Sequence, residues 1–544
     1  RPPPPGPRCV DRGGEGGGTG GAMAGGGGAV GRLKGRLRDL DALGGCAGAL
    51  GWDELVMLPG GAAAARGRQK AALAAAVHER ATHPELGALI GAAEEELGGA
   101  GGATAAAADA ALAFDRATVR DARRAFDRAT RVPEELVKRQ AELGSRGYHC
   151  WAEAREKGDF DLFAPVLEEL LELRREVARH VAGPDADAYN AQIDLYERGM
   201  THARLQEIFS GIKEGLVPLL EDVKAQMAAG RGPAPHPALS SGGFPLAAQE
   251  AACREIATAM GFDWERGRLD VSVHPFTGGS HPSDVRITTR YSEDTLLDGI
   301  MGLVHETGHA LYEQGRNPEQ DGLPVSEALS MGIHESQSLL WERMVAQRRS
   351  FWTWAEGILH EHLPGTRDAG AEDFYRHVNR VNPGNLIRVD ADELSYPLHV
   401  LVRFEIERGL FDGSIRVRDL PRVWNAKYAE YLGVEPPSDK VGVLQDVHWS
   451  DGSFGYFPSY TLGAMYACQF WEQAMEELGG AELEAEVAAG DFGRLKGWLN
   501  EKVHRLGSLH PSADELCEAV TGSKLDPAVF VRYLERKYRA LLEG

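Results

Sequence analysis

The chain has 544 residues, of which 43% are hydrophobic and 26% are charged, so it is long enough to bury a large core. Acidic residues outnumber basic residues by 81 to 59, and the formal net charge is −22. A field of that sign repels phosphate groups and anionic lipids, which argues against nucleic acids and membranes as partners. The sequence also contains no apolar run long enough to cross a bilayer.

The six cysteines are far apart and form no Cys-x-x-Cys pair. This spacing is typical of reduced thiols and predicts a cytoplasmic location. It also excludes a zinc ribbon built from thiolates, so any metal ion must be held by histidine and carboxylate groups. The cysteines are Cys9, Cys46, Cys150, Cys253, Cys468 and Cys517.

Residues 1–30 are rich in proline and glycine and contain almost nothing to bury, which predicts a disordered segment. They lack the apolar core of a secretory signal, whereas targeting to an organelle stays open. No later break in composition marks a linker. Residues 31–544 are therefore predicted to form one large, mainly α-helical body.

Five segments in the first half of this body combine helix-forming composition with apolar residues every three to four positions. They predict helices near 61–83, 104–143, 164–182, 203–229 and 246–261. Strand-like alternation is scarce and occurs at 269–273 and 284–291, on either side of a Gly/Ser/Pro turn at 278–282. These two stretches predict a small hairpin just before the next helix.

The next helix carries the most informative motif, His305-Glu306-Thr307-Gly308-His309, and no other segment of the chain has this spacing. On a helix, residues four apart share one face, so both imidazoles reach one metal ion and Glu306 lies beside a bound water. Ser292 is the predicted N-cap, and Gly315 is the predicted stop. The motif indicates a zinc peptidase site, and the alternative is a pair of core histidines on a buried helix.

An open catalytic zinc site usually has three protein ligands and a water molecule. The following helix, predicted at 325–347, offers Glu335 as the third ligand, with Glu327 and Glu342 as alternatives. Further helices are predicted at 370–381, 395–408, 417–432, 461–477, 490–505 and 526–542.

From about Leu37 to its C-terminus, the chain resembles the carboxypeptidase Taq-type zinc metallocarboxypeptidases. The resemblance rests on six blocks in the family's order, all intact. They are His274-Pro275-Phe276, Asp284-Val285-Arg286-Ile287-Thr288, the motif from His305 to His309, His334-Glu335-Ser336-Gln337, Ile387-Arg388-Val389-Asp390-Ala391-Asp392 and Gly442-Val443-Leu444-Gln445-Asp446-Val447-His448-Trp449.

The resemblance implies that His305, His309 and Glu335 bind one zinc ion per chain, with cobalt as the alternative metal, and that Glu306 is the general base and acid. It also implies a nearly all-helical fold with a deep central groove, a small sheet beside the site, and a homodimer. The catalytic domain is then 31–544. The Pro/Gly-rich start has no counterpart in the family's pattern.

Charge that develops on the tetrahedral oxygen needs hydrogen-bond donors besides the metal. His448 and Tyr456 are the candidates, because the block ending at Trp449 runs directly into an aromatic-rich stretch. Tyr460 is the substitute. Without the resemblance, these side chains would be read as core residues.

An exopeptidase must also bind a free C-terminal carboxylate, which a fixed guanidinium group does with two hydrogen bonds. Arg388 is the first choice and Arg286 the second, since both lie in the family's blocks. The competing interpretation of either arginine is a structural ion pair with one of three nearby aspartates, Asp284, Asp390 or Asp392.

The leading hypothesis is a carboxypeptidase with peptide substrates and, as the family implies, broad specificity with poor cleavage next to proline. Two alternatives use the same zinc chemistry, namely an oligopeptidase that cuts internally and an aminopeptidase. A third is a non-catalytic helical binding protein, which the intact Glu306 argues against because a binding protein needs no proton carrier.

Overall fold

The computed structural model describes residues 28–98, 106–382 and 384–543, without the side chains of 106–109. The predicted disordered segment 1–30 therefore lies mostly outside the described residues. Its last three residues are an exception, because Gly28 precedes the first helix and Ala29 and Val30 begin it and are buried. The helical body thus starts two residues earlier than the composition indicates.

Helices make up most of the described chain, which confirms the mainly α fold class. The helices are α1 (Ala29–Val56), α2 (Ala63–Ala81), α3 (Pro84–Gly98), α4 (Ala106–Arg131), α5 (Glu134–Lys157), α6 (Ala164–Ala182), α7 (Ala188–Ile193), α8 (His202–Ala228), α9 (Pro237–Ser240), α10 (Leu246–Met260), α11 (Leu297–Gly315), α12 (Met331–Leu339), α13 (Arg349–His362), α14 (Ala371–Val378), α15 (Tyr396–Asp412), α16 (Leu420–Leu432), α17 (Pro458–Leu478), α18 (Gly480–Ala488), α19 (Gly493–Leu499), α20 (Ala513–Thr521) and α21 (Pro527–Glu543). None of them has the length and apolarity that a transmembrane helix needs.

The small sheet has three strands, β1 (Gly267–Val271), β2 (Phe276–His281) and β3 (Asp284–Thr289), in the order β1-β3-β2. The predicted hairpin is therefore wrong in its pairing. The segment expected to be a turn is itself strand β2, which pairs antiparallel with β3, whereas β1 pairs parallel with β3. This strand lies close to α1, because a Cβ atom at Gly48 or Gly45 of α1 would lie 2.5 Å from the carbonyl oxygen of Gly279 or Ser280.

Three predicted helix boundaries are wrong for local reasons. The segment 104–143 is two helices, because Pro133 removes a backbone donor and ends α4 before α5 begins. Ser292 does not cap α11, since its hydroxyl accepts from the N–H of Asp294 at 3.1 Å and the helix starts five residues later. The stretch 325–347 becomes α-helical only at Met331, where the hydroxyl of Ser330 caps α12.

Helix α12 is held at close range between α11 and α17. A Cβ atom at Gly308 of α11 would lie 2.7 Å from the carbonyl oxygen of Gln337, and a Cβ atom at Gly463 of α17 would lie 2.7 Å from Cγ of Glu335. Both glycines therefore permit an approach that a larger residue would prevent. The apolar face of α11 is buried in the main core through Ile300, among others.

Candidate active site

Two helices bring three potential metal ligands together. His305 and His309 lie one turn apart on α11, and Glu335 reaches them from α12. Oε2 of Glu335 is 3.4 Å from Nε2 of His309 and 3.9 Å from Nε2 of His305. All three ligand atoms lie within 4.8 Å of one another. Within the described residues this is the one group of histidine, cysteine and carboxylate side chains with that property.

The geometry and chemistry of this group fit a divalent metal ion. Ligands about 2.0–2.2 Å from a tetrahedral zinc ion lie about 3.3–3.5 Å from one another, close to the spacings between Glu335 and the two histidines. Two imidazole nitrogens and one carboxylate also form a common donor set of catalytic zinc sites with an open fourth position. Of the carboxylates considered from sequence, Glu327 does not belong to the group.

Glu342 lies behind His305 rather than among the three ligand atoms. Its Oε2 is 2.7 Å from Nδ1 of His305, which leaves Nε2 of the same ring directed to Glu335. A carboxylate on the far nitrogen fixes the orientation of a metal-binding histidine and raises its basicity. Glu342 belongs to a π-helical segment, Leu340–Ala346, that continues α12. Such π turns inside helices are frequently found at functional sites.

Within this group, the histidine and carboxylate side chains stabilise each other's charged forms. Burial alone would lower the pKa of His305, but the carboxylates of Glu335, Glu342 and Glu306 outweigh it and raise this pKa to about 10. Burial alone would raise the pKa of Glu335, but His305 and His309 lower it to about 2. The carboxylate of Glu335 is therefore ionised at neutral pH, as a metal ligand must be.

His309 is held differently from His305. Its Nδ1 is buried and has no hydrogen-bond partner in the described part of the chain. Its ring instead stacks on that of His334, with centroids 4.5 Å apart and planes 18° apart. Nε2 of His334 is 2.9 Å from Oε1 of Glu313, which keeps the stacked ring in place.

Glu306 occupies the position of a proton carrier. It is 6% exposed and lines a cavity of about 600 Å³ together with His309, Glu335 and Tyr456. The hydroxyl of Thr277 on β2 donates to Oε2 of Glu306 at 2.7 Å and so fixes the carboxylate. Sequence reasoning missed Thr277, although it directly follows the block His274-Pro275-Phe276.

The aromatic stretch predicted to supply hydrogen-bond donors lies at this cavity. Tyr456 lines it, and the ring of Tyr460 lies 5.3 Å from that of Tyr456. Nε2 of His448 is 3.3 Å from the hydroxyl of Tyr460. Burial, together with nearby Arg388, lowers the pKa of His448 to about 4, so its imidazole is neutral at pH 7. Burial raises the pKa of Tyr456, which keeps its hydroxyl protonated as a donor.

Arg388 is buried and already has partners. It is 4% exposed, and its Nε and Nη2 donate to Oδ1 of Asp446 at 3.0 and 2.8 Å. Its Nη1 donates to the hydroxyl of Tyr396 at 2.7 Å. Arg403 donates to the other oxygen of Asp446 at 2.7 Å. The ion-pair partner is therefore Asp446, not the aspartates considered from sequence, and the role of Arg388 in carboxylate binding stays a prediction.

Arg286 lies at the sheet rather than among the residues that line the metal cavity. Its Nε and Nη2 each donate to a different oxygen of Asp284 at 2.8 Å. Its guanidinium carbon is 4.7 Å from the ring centroid of Trp52 on α1. These contacts join α1 to β3, and a role for Arg286 in substrate binding also stays a prediction.

Replacement of Glu342 tests whether its contact with Nδ1 of His305 strengthens metal binding. Glu342→Gln is expected to lower metal affinity about 10- to 100-fold, because the amide is a weaker and uncharged acceptor for Nδ1. Competition with a chromogenic chelator measures the change. Glu255→Gln is the matched control, since Glu255 makes a similar contact with His362 at 2.9 Å on the surface. Equal metal affinity in the two variants would remove Glu342 from this role.

Comparison with known proteins extends along almost the whole chain. A model of the family described as carboxypeptidase Taq (M32) metallopeptidase matches residues 32–538. Thermostable carboxypeptidase 1 of Thermus thermophilus is 40% identical over 499 residues, which cover 90% of this chain and 94% of the relative. The crystal structure of the M32 carboxypeptidase from Deinococcus radiodurans R1 matches with a TM-score of 0.87 at 37% identity and covers 95% of this chain and 100% of its own. Metallocarboxypeptidase 1 of Trypanosoma cruzi matches with a TM-score of 0.88 at 40% identity and covers 94% of this chain and 99% of its own.

Proposed function

The chain belongs to the carboxypeptidase Taq (M32) metallopeptidase family, and on this premise we propose that it removes single residues from the C-termini of peptides with broad specificity and poor cleavage next to proline. Membership of the family makes it a peptide hydrolase that uses a divalent metal ion. The one observation that carries the finer proposal is the convergence of His305, His309 and Glu335 beside the buried carboxylate of Glu306.

We assign zinc as the native metal, one ion per chain, held by His305, His309 and Glu335, with cobalt as the alternative. Nitrogen and carboxylate donors with an open position suit catalytic zinc. When bound, such an ion supplies Lewis-acid chemistry, which polarises the scissile carbonyl and makes a water molecule more acidic. Bound cobalt would use the same three ligands.

Glu306 moves the proton in this proposal. Its Oε2 accepts from Thr277, so the other carboxylate oxygen is left to take a proton from the attacking water. Glu306 then gives this proton to the leaving amine. Because the carboxylate is buried and fixed before substrate arrives, little reorganisation is needed during the reaction.

Tyr456 and His448 donate hydrogen bonds to the oxygen on which negative charge develops. Both are uncharged donors at neutral pH, as their pKa shifts indicate. Tyr460 contacts both side chains, which supports a role in orienting them or in contacting substrate. The C-terminal carboxylate of the substrate is assigned to Arg388, with Arg286 as the second choice.

Tyr456→Phe is expected to lower kcat about 10- to 1000-fold with a smaller change in KM, because the lost hydroxyl acts mainly on the transition state. Steady-state kinetics with one N-blocked peptide measures both parameters. Tyr148→Phe on the surface is the control, since Tyr148 is 50% exposed. An unchanged kcat for Tyr456→Phe would assign the donor role to His448 or Tyr460 instead.

A mixed panel of peptides tests the overall function. The protein is incubated with free-ended, N-blocked and C-amidated peptides, with and without a chelator, and the products are identified by mass. The proposal predicts stepwise loss of C-terminal residues from free-ended and N-blocked peptides. This loss stops with the chelator and returns with zinc or cobalt. Internal cleavage, or cleavage that only an N-terminal block prevents, would replace the proposal with an oligopeptidase or an aminopeptidase.

A homodimer in the cytoplasm completes the proposal. The five described cysteines are free, which suits a reducing compartment. The formal net charge of −22 argues for peptides, not nucleic acids or membranes, as binding partners. Light scattering coupled to gel filtration tests the assembly, and a mass near that of one 58.9 kDa chain would contradict the dimer.

A further inference from the structure

Glu407 is a buried carboxylate of α15 that the proposed mechanism does not use. Its exposed fraction is 0%, and it is not among the described residues that line the metal cavity. Its Oε1 accepts from Nε1 of Trp449 at 2.8 Å. Its Oε2 accepts from the N–H of Gly455 at 2.8 Å and from the hydroxyl of Tyr189 at 3.0 Å. Three donors from two parts of the chain distant from α15 therefore meet at one carboxylate.

This position calls for a carboxylate although its burial is unfavourable. Burial raises the pKa of Glu407 to about 7, against the effect of its three hydrogen bonds and of Arg403, which favour the ionised form. Placing a charged group in the interior costs stability. Only an ionised carboxylate, however, accepts from three donors without presenting a donor of its own. Glutamine in its place would turn an amide N–H group towards at least one of the three donors.

The two residues that Glu407 holds in segment 449–455 are the neighbours of the two proposed oxyanion donors. Trp449 directly follows His448, and Gly455 directly precedes Tyr456. One carboxylate therefore joins the two ends of segment 449–455. Because its two oxygens bind opposite ends, they fix the distance between the chain positions from which the two donors project.

The backbone of this segment has little freedom to move independently of Glu407. Gly455 has a φ of +81°, and a Cβ atom there would lie 2.7 Å from the backbone carbonyl carbon of Gln192 on α7. Only glycine combines this conformation with so close an approach. The N–H of Ser453 donates to the carbonyl oxygen of His448 at 2.9 Å, which closes the segment on itself. A change at Gly455 is therefore passed on to the adjoining tyrosine.

Helix α15 supports the chain on both sides of His448. Nε of Arg403 donates to Oδ2 of Asp446 at 2.7 Å, two residues before His448. Glu407, one helical turn further along α15, holds Trp449, one residue after it. Both anchors come from the same helix, so they place the imidazole relative to a single rigid element.

We propose that Glu407 is a positioning residue of the enzyme. Through its contacts with segment 449–455, it holds His448 and Tyr456 at the separation that the developing oxyanion requires. The inference rests on the proposed function, because it assumes that these two side chains donate to that oxygen. Glu407 lies outside the metal cavity and acts only through them. A displacement of about 1 Å can cost about 100-fold in rate, so a small movement of the segment is enough.

The competing explanation is that Glu407 only stabilises the fold. In that case its replacement lowers Tm, and the loss of activity equals the loss of folded protein. That loss would also be the same factor whether or not the hydroxyl of Tyr456 is present. A positioning role predicts a fall in kcat with little change in KM, and a smaller effect where the positioned hydroxyl has already been removed.

The first test measures steady-state kinetics on one N-blocked peptide, with kcat referred to the metal-loaded, folded protein. Glu407→Gln is expected to lower kcat about 10- to 100-fold and to change KM less than about threefold. Tyr189→Phe removes one of the three hydrogen bonds and is expected to lower kcat about 2- to 10-fold. Tyr533→Phe is the matched control, because its hydroxyl also donates at 3.0 Å to a buried carboxylate, that of Glu393. It is expected to leave kcat unchanged.

The second test combines Glu407→Gln with Tyr456→Phe. If Glu407 acts through the tyrosine hydroxyl, its replacement costs at least about threefold less in the Tyr456→Phe background than in wild type. Equal factors in the two backgrounds would overturn the inference. So would a kcat that Glu407→Gln leaves unchanged, or a loss that appears in KM alone.

Hydrogen exchange read by mass spectrometry gives a measure that does not depend on activity. In Glu407→Gln, the amides of segment 449–455 and of Tyr456 are expected to exchange faster, while those of α11 and α12 keep the wild-type rate. Faster exchange along the whole chain would show a general loss of stability and would contradict the positioning role. A wild type that never shortens peptides would instead contradict the proposed function. The exchange data would then still decide whether Glu407 holds this segment.

Discussion

Glu306→Gln is expected to lower kcat about 10²- to 10⁴-fold while metal affinity stays within about threefold of wild type. The amide has nearly the same shape and can still accept from the hydroxyl of Thr277, but it cannot take a proton from water. Because the substituted side chain is not one of the three grouped ligand residues, the metal site keeps its donors. Single-turnover kinetics and metal titration on the same preparation measure the two quantities separately.

Glu79→Gln provides the matched control for this substitution. Glu79 follows His78 in a segment that lacks the second histidine, and it is exposed on α2. Its replacement is expected to change neither kcat nor metal affinity. If Glu306→Gln retained most of the wild-type kcat, another group would have to carry the proton and the proposed role of Glu306 would be wrong.

Glu335→Gln is expected to lower metal affinity at least about 100-fold. Replacing a residue that only supports a ligand costs at most about 100-fold, and loss of a ligand itself should cost no less. The substitution replaces an ionised oxygen donor, which His305 and His309 keep ionised, with a neutral amide. A site left with two imidazoles loses one of the three protein ligands that catalytic zinc sites use. Activity is expected to fall in parallel and to recover partly at high metal concentration.

Glu327→Gln is the control, because Glu327 is a carboxylate considered from sequence and does not belong to the ligand group. Competition with a chelator of known affinity gives the dissociation constant of each variant. If Glu327→Gln lost the metal and Glu335→Gln kept it, the assignment of ligands would have to be exchanged.

Most helices could be predicted from the sequence because their signal is local. The apolar positions that recur every three to four residues are the ones buried in the structure, and α6 has the predicted bounds, 164–182. Errors occurred where a single residue decides a boundary, as at Pro133, or where a capping residue serves a nearby turn, as at Ser292. The parallel pairing of β1 with β3 joins two strands that are separated in the sequence by β2. Composition carries no signal for such a pairing.

In the candidate site, too, local features could be predicted from the sequence, whereas contacts between distant segments could not. His305 and His309 are recognisable because one helical turn brings them together. Spacing narrowed the third metal ligand to Glu335, Glu327 or Glu342. It could not choose among them, because the choice depends on how α12 packs on α11. The contact of Thr277 with Glu306 and the pairing of Arg388 with Asp446 depend on segments distant in sequence. They become visible only in three dimensions.

Anomalous diffraction at the zinc absorption edge, from crystals grown with zinc, tests the central claim most directly. The account predicts one strong peak per chain, about 2.0–2.2 Å from Nε2 of His305, Nε2 of His309 and a carboxylate oxygen of Glu335. A peak held by other side chains, or no peak at these three residues in the presence of saturating zinc, would contradict it.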